Sequence, residues 1–335
     1  MNLQDCNLNA KAVLMAPFIR NEPEESWLQA RDKEQIPLSL FDLYCRAGYG
    51  SFGAAPTFFK DEDNVLFSYF SLALRSLMLS LVDCDENLQE FIAARAETYH
   101  PGKRIDDANW TKQKTEATSK RANEAFRNVL MSLHAVLDGL SEVLALFSQG
   151  RIKGLEVGYG QFSRIEAWLK SPPPASSLIV TPTDLYMREL YASLNPIVCS
   201  IGPETEWLPY LRLLRNKAAH LGHGFFRSMA LVGNDDTYYT YLPRIWPYIW
   251  EREMKQSGFQ PAKTLAERLP EVMIHQDIIE FAKGAHQKVR GVTDAALQVT
   301  CKAYSDFSDF EFNQTAFDQL ITNSKHFEFQ RFLDV

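Results

Sequence analysis

The stretch RNKAAHLGH, residues 215 to 223, gathers an arginine, a lysine and two histidines around a pair of alanines, in a chain of 335 residues whose formal net charge is −7. Histidine exchanges a proton near neutrality. Arginine presents a planar fork of donors that holds an oxyanion without titrating. Together they suit a reaction in which a proton moves while negative charge develops on oxygen. Ala219, the smallest helix former among the cations, leaves room for a bulky anionic group to approach.

Those side chains need a helix to present them. The segment ETEWLPYLRLLRNKAAHLGHG, following Pro203, predicts one that Gly222 and Gly224 bring to an end. At about 100° per residue, Trp207, Leu211, Leu214, Ala218 and Leu221 share one side, the side expected to be buried. Arg215, Arg212, His223, Asn216 and His220 occupy a second arc, from roughly 40° to roughly 180° round the helix from Leu211. Ala218, on the apolar side, lets a neighbouring helix pack closely. Leu213 falls beside His220 on the polar edge, and an apolar residue there calls for a second protein surface, which a dimer would supply.

Arg215-Asn216-Lys217-Ala218-Ala219-His220 resembles the Arg-x4-6-His motif of the HEPN superfamily, helical-bundle proteins in which Asn, His or Asp often follows the arginine. The resemblance covers this motif and, loosely, the helical region from 64 to 224. It implies a mainly α, HEPN-like helical bundle and a metal-independent endoribonuclease whose site forms where the motifs of two copies meet. In such a reaction a base removes the proton of the RNA 2′-hydroxyl, which attacks phosphorus and expels the 5′-oxygen. His220 would be the general base or acid, Arg215 the clamp of the phosphate and transition state, and Asn216 a positioner. Arg212, Lys217, His223 and Arg227 would contact substrate phosphates, and Asp138 is a candidate orienter of His220. The resemblance further implies RNA as partner, a homodimer, a toxin or antiphage defence setting, and an antitoxin or regulatory protein as a further partner. In HEPN toxins with a His-x-Tyr extension, a partner nucleotidyltransferase modifies the tyrosine; the position here is Gly222.

Two blander readings stand beside this one. Basic groups and histidines near a helix C-terminus offset the helix dipole whatever else they do. A bundle of the same kind without activity would serve as a binding or assembly module for RNA, nucleotide or protein.

Four Arg–His pairs in the chain meet the spacing. Arg95 to His100 runs into Pro101 and Arg268 to His275 spans Pro270, so both read as helix ends. Arg127 to His134 also carries an asparagine after the arginine, but lies within a long amphipathic helix. There His134, Asp138 and Glu142 recur at four-residue spacing, which reads as a solvated flank held by i,i+4 pairs, with a metal site or a base-and-orienter pair as the alternatives.

The remaining sequence divides into an irregular N-terminal arm (1–60), a HEPN-like helical core with a β-hairpin (61–255) and a C-terminal helical extension (256–335). Helices are predicted over 64–82 and 86–100, and most strongly over 110–149, where ten apolar residues from Phe126 to Phe147 recur every three or four positions. SPPPASS (171–177) reads as a linker. The helix after it takes Thr183 or Asp184 as its N-cap and is limited by Pro196. The turn residues Gly233 to Asp236 predict a hairpin, and helix returns from 262. Five scattered cysteines without a CxxC pair fit a reducing cytoplasm and give no zinc site. The N-terminal residues carry no secretion signal, and the apolar run 65–82 is interrupted by Arg75, so a buried helix is expected there rather than a membrane span. Overall acidity excludes broad electrostatic capture of nucleic acid, which leaves only a local basic patch for RNA. No glycine-rich phosphate loop, GxSxG or HExxH is present, and no cofactor is expected.

Overall fold

The computed structural model describes residues 25–47, 61–98, 112–171, 181–199, 207–221, 230–232, 238–240 and 278–304. The architecture is mainly α. The helices are α1 (Glu25–Asp32), α2 (Leu38–Cys45), α3 (Asp61–Thr98), α4 (Lys112–Phe147), α5 (Phe162–Leu169), α6 (Pro182–Val198), α7 (Trp207–Leu221) and α8 (Ile278–Ala303). Two short strands, β1 (Ala230–Val232) and β2 (Tyr238–Thr240), pair antiparallel with Leu231 opposite Tyr239. The turn between them lies outside the described residues, as do the arm 1–24 and the segment 262–277.

Two compact units form. The first draws on α1, α2, α3 up to Val82, α4 from Ala135, α5, α6 and α8 from Gly291. The second draws on α3 from Asp83, α4 up to His134, α7, β1, β2 and α8 up to Arg290. This division follows the packing rather than the linear segments 1–60, 61–255 and 256–335.

The period of α4 explains its length. Phe126, Val129, Leu130, Leu133, Val136, Leu137, Leu140, Val143, Leu144 and Phe147 are each 1 % exposed or less, so the apolar stripe is buried from end to end. Within this helix Lys120–Phe147 is long and apolar enough to cross a membrane, but 72 % of its most apolar window is buried inside the protein. Helix α3 runs unbroken where two helices were expected. The intervening Asp83-Cys84-Asp85-Glu86 does not interrupt it because Cys84 faces inward at 1 % exposure and Asp85 finds cationic partners on α8.

In the first unit the core centres on the ring of Phe147, packed 5.5 Å from Phe70 and 4.8 Å from Tyr186. The buried Tyr186 hydroxyl is hydrogen-bonded to Thr300 at 3.2 Å, which ties α6 to α8. Helix α6 starts earlier than expected. Its N-cap is Thr181, whose hydroxyl accepts from the Asp184 N–H while the Asp184 carboxylate accepts from the Thr181 N–H, a reciprocal capping box around Pro182. Thr183 is instead buried inside the first turn. Pro196 sits in the last turn, and the helix continues two residues past it to Val198.

In the second unit the aromatic cluster is Phe126 with Phe91 at 5.1 Å and Phe281 at 6.4 Å, and Tyr210 meets Phe281 edge-on at 5.3 Å. These contacts join α3, α4, α7 and α8, and seat the helix that carries the cationic motif.

Candidate anion site on helices α4 and α7

Helix α7 presents its residues as their angles require. Trp207, Leu211, Leu214 and Ala218 are buried, together with Leu208, and this apolar face fixes the rotation of the helix. Arg212, Arg215 and Asn216 consequently lie at the edge of the packed face, partly exposed. Arg215 Nη1 donates to the Asn216 side-chain oxygen at 3.0 Å. Its Nε is fully buried and has no hydrogen-bond partner among the described residues. Of the five N–H donors of a guanidinium, at least one is thereby directed by Asn216 while others stay available for an oxyanion.

The backbone of Lys217 and His220 belongs to α7, but their side chains, with those of Leu213, Ala219 and Leu221, lie outside the described residues, as do His223 and Arg227 altogether. The expected dimer edge at Leu213 therefore lies outside them too.

The residue the structure adds is His134, from α4. It is 8 % exposed, and its ring donates to the backbone carbonyl of Leu211. Burial pushes its pKa from the usual 6.5 down to about 4, with the charges of Arg215 and then Arg212 acting in the same direction and the Leu211 carbonyl opposing them. The imidazole is thus uncharged at neutral pH, between the polar edge of α7 and the core. Sequence carried a trace of this, because Arg127 to His134 also fits the motif spacing, but the stripe containing His134 reads there as a solvated flank.

That reading of the stripe is corrected by burial and by partners. Asp138 accepts from the Phe162 N–H at 3.1 Å, and Glu142 accepts from the Gly158 N–H at 2.7 Å. Both carboxylates hold the loop between α4 and α5, which needs positive φ at Gly154 (82°) and Gly158 (81°). At Gly160 the loop runs so close to α4 that a Cβ would lie 2.6 Å from the Glu142 nitrogen and 2.7 Å from the Asp138 carbonyl oxygen. Burial raises the Glu142 pKa, against the N–H groups of Gly158 and Gly160, which lower it. His134, Asp138 and Glu142 therefore have three separate sets of partners. They do not form a common ligand set. Asp138, the candidate orienter, belongs to the first unit and has its carboxylate on the α5 backbone.

A second polar cluster in the same unit went unnoticed in the sequence. Asp85 of α3 accepts from Arg290 Nη1 at 3.0 Å, and His286 Nε2 sits against its other oxygen. Arg290 and His286 are one turn apart on α8, so a single carboxylate joins the two helices. Beside it, burial pushes the Cys84 thiol up to about 12, with the Ser132 side chain opposing, which keeps the thiol protonated and inert.

No family model, curated protein or solved structure matches this chain.

Proposed function

We propose that the protein is a metal-independent endoribonuclease that cleaves RNA by attack of its own 2′-hydroxyl. The observation that supports this best is the partly exposed Arg215, hydrogen-bonded to Asn216 and holding an unpartnered Nε, on a helix whose rotation its apolar face fixes. A guanidinium held in this way suits the developing charge on a phosphorane. In this reading His220 is the general base or acid, Asn216 positions Arg215, and Arg212, Lys217, His223 and Arg227 contact flanking phosphates. The HEPN-like bundle, the β-hairpin around Gly233 to Asp236, a homodimer that joins two motifs, a cytoplasmic toxin or defence setting and a restraining protein partner belong to the same proposal, on the resemblance of the motif.

The test is cleavage of end-labelled single-stranded RNA and tRNA in EDTA by wild type, His220→Ala and Arg215→Ala. Products with 2′,3′-cyclic phosphate ends, lost in both variants, are expected. Wild type as inert as a folded Arg215→Ala variant would overturn the assignment and leave the binding-module reading, to be followed by measuring RNA affinity of the same proteins.

A further inference from the structure

We propose that His134 is a positioning residue of this site: its Nε2 accepts a hydrogen bond from the Nε–H of Arg215, directly or through one water, and so fixes the plane of the guanidinium. The inference rests on the ribonuclease reading only for what the fixed guanidinium then does.

Three observations carry it. The ring of His134 is nine-tenths buried, and its bond to the Leu211 carbonyl sets its orientation from the backbone of α7, one turn before Arg215. Nε2 of that ring and Nε of Arg215 are both fully buried, and neither has a hydrogen-bond partner among the described residues. The two atoms are complementary: a neutral imidazole that has given its N–H to a carbonyl retains a lone pair, and the guanidinium Nε carries only an N–H. Buried polar atoms without partners are rare because each leaves its desolvation cost uncompensated. Two such atoms of opposite kind, on groups close enough for charge on one to shift the other, satisfy each other with least rearrangement. A single buried water, donating to Nε2 and accepting from Nε–H, does the same.

The consequence is mechanical. With Nε directed by His134 and Nη1 by Asn216, rotation about the last side-chain bonds of Arg215 is removed before any ligand arrives. The remaining donors then form a fork of fixed direction, which is the geometry that two oxygens of a phosphodiester accept.

The test reads the Arg215 Nε–H directly by proton–nitrogen NMR near neutral pH, assigned by its disappearance in Arg215→Lys. In wild type it should exchange with solvent about ten- to a hundredfold more slowly than the Nε–H groups of exposed arginines, the factor that a hydrogen bond to a charged group provides. His134→Phe should abolish that protection and lower RNA cleavage by a similar factor. His134→Gln, whose side-chain oxygen reaches the place of Nε2, should restore both. A wild-type Nε–H exchanging as fast as an exposed one overturns the inference without any variant, and so does slow exchange retained in a folded His134→Phe protein. Because the signal is read without RNA, a protected Nε–H that responds to His134 in a protein that cuts nothing would sink the ribonuclease reading alone. Cleavage unaffected in His134→Phe would sink the positioning role and leave the nuclease standing.

Discussion

The two units share three long helices and treat buried polar groups in different ways. In the first, polar side chains meet the backbone: Asp138 and Glu142 hold the N–H groups of Phe162 and Gly158, Asn195 donates to the Leu169 carbonyl, and Thr181 and Asp184 cap α6. In the second, charged and titratable side chains meet one another: Arg290 and His286 converge on Asp85, and His134 lies within the field of Arg215 and Arg212. Backbone partners are fixed by the fold and neutral, so they stabilise without titrating. Side-chain pairs respond to pH, salt and ligands. Responsiveness of that kind is expected where a protein acts, and rigidity where it is supported.

Acid should separate the units most strongly. The folded-state pKa of His134 is depressed, so below its ordinary value of 6.5 the unfolded chain binds a proton that the folded chain refuses, and the second unit loses about 3 kcal/mol of stability by pH about 4. Glu142 has the opposite sign. Its folded pKa is raised, so as pH falls the folded state takes the proton first, and the first unit gains stability over the range above the ordinary 4.5. Hydrogen exchange followed by mass spectrometry between pH 4.5 and about 7 should show protection falling in peptides from the second unit and holding in those from the first, with His134→Gln flattening the loss. Parallel loss in both units would break the comparison.

Next in size is the clamp on α3. Asp85→Ala leaves Arg290 and His286 facing each other at side-chain exposures of 26 % and 12 %, and should cost about 2 kcal/mol in urea unfolding. Part of that cost should disappear in high salt, which screens the two cations left behind. A loss that is independent of salt would mean that Asp85 acts by packing rather than by charge. The smallest expected effect lies in the first unit. Thr181→Ala removes one half of the capping box and should cost about 1 kcal/mol in a thermal melt, with little dependence on salt because the lost acceptor is neutral. If its cost varied with salt as strongly as that of Asp85→Ala, the contrast between the two kinds of stabilisation would fail.

What was legible in the sequence was whatever repeats locally. The ten apolar residues of α4 announce a buried face because each is three or four positions from the next, and the buried face of α7 follows from the same arithmetic. What stayed hidden depends on partners far along the chain. Asp83 to Glu86 reads as a break because four polar or small residues in a row suggest a turn, and only the pairing of Asp85 with residues about two hundred positions away keeps the helix intact. The stripe His134, Asp138, Glu142 has the spacing of an exposed flank. Its members are buried because a glycine loop, the start of α5 and a carbonyl of α7 come to meet them. Thr181 was hidden for a simpler reason: the prolines before it draw the eye to a linker, although Pro182 is well suited to the first position of a helix. Within the site, Arg215 and Asn216 were named from sequence because they are adjacent, whereas His134 enters from another helix.

Helices α3, α4 and α8 each contribute one stretch to one unit and the next stretch to the other, so neither unit corresponds to a single run of the gene. A fragment cut at any one peptide bond would therefore carry an incomplete set of segments for at least one of them. Separating the two would require rejoining stretches in a new order with new connections, and recombination that exchanges contiguous blocks would have no block to exchange. Whatever variation this chain accepts in its cationic edge must arrive by substitution, one residue at a time, with the backbone around it inherited whole.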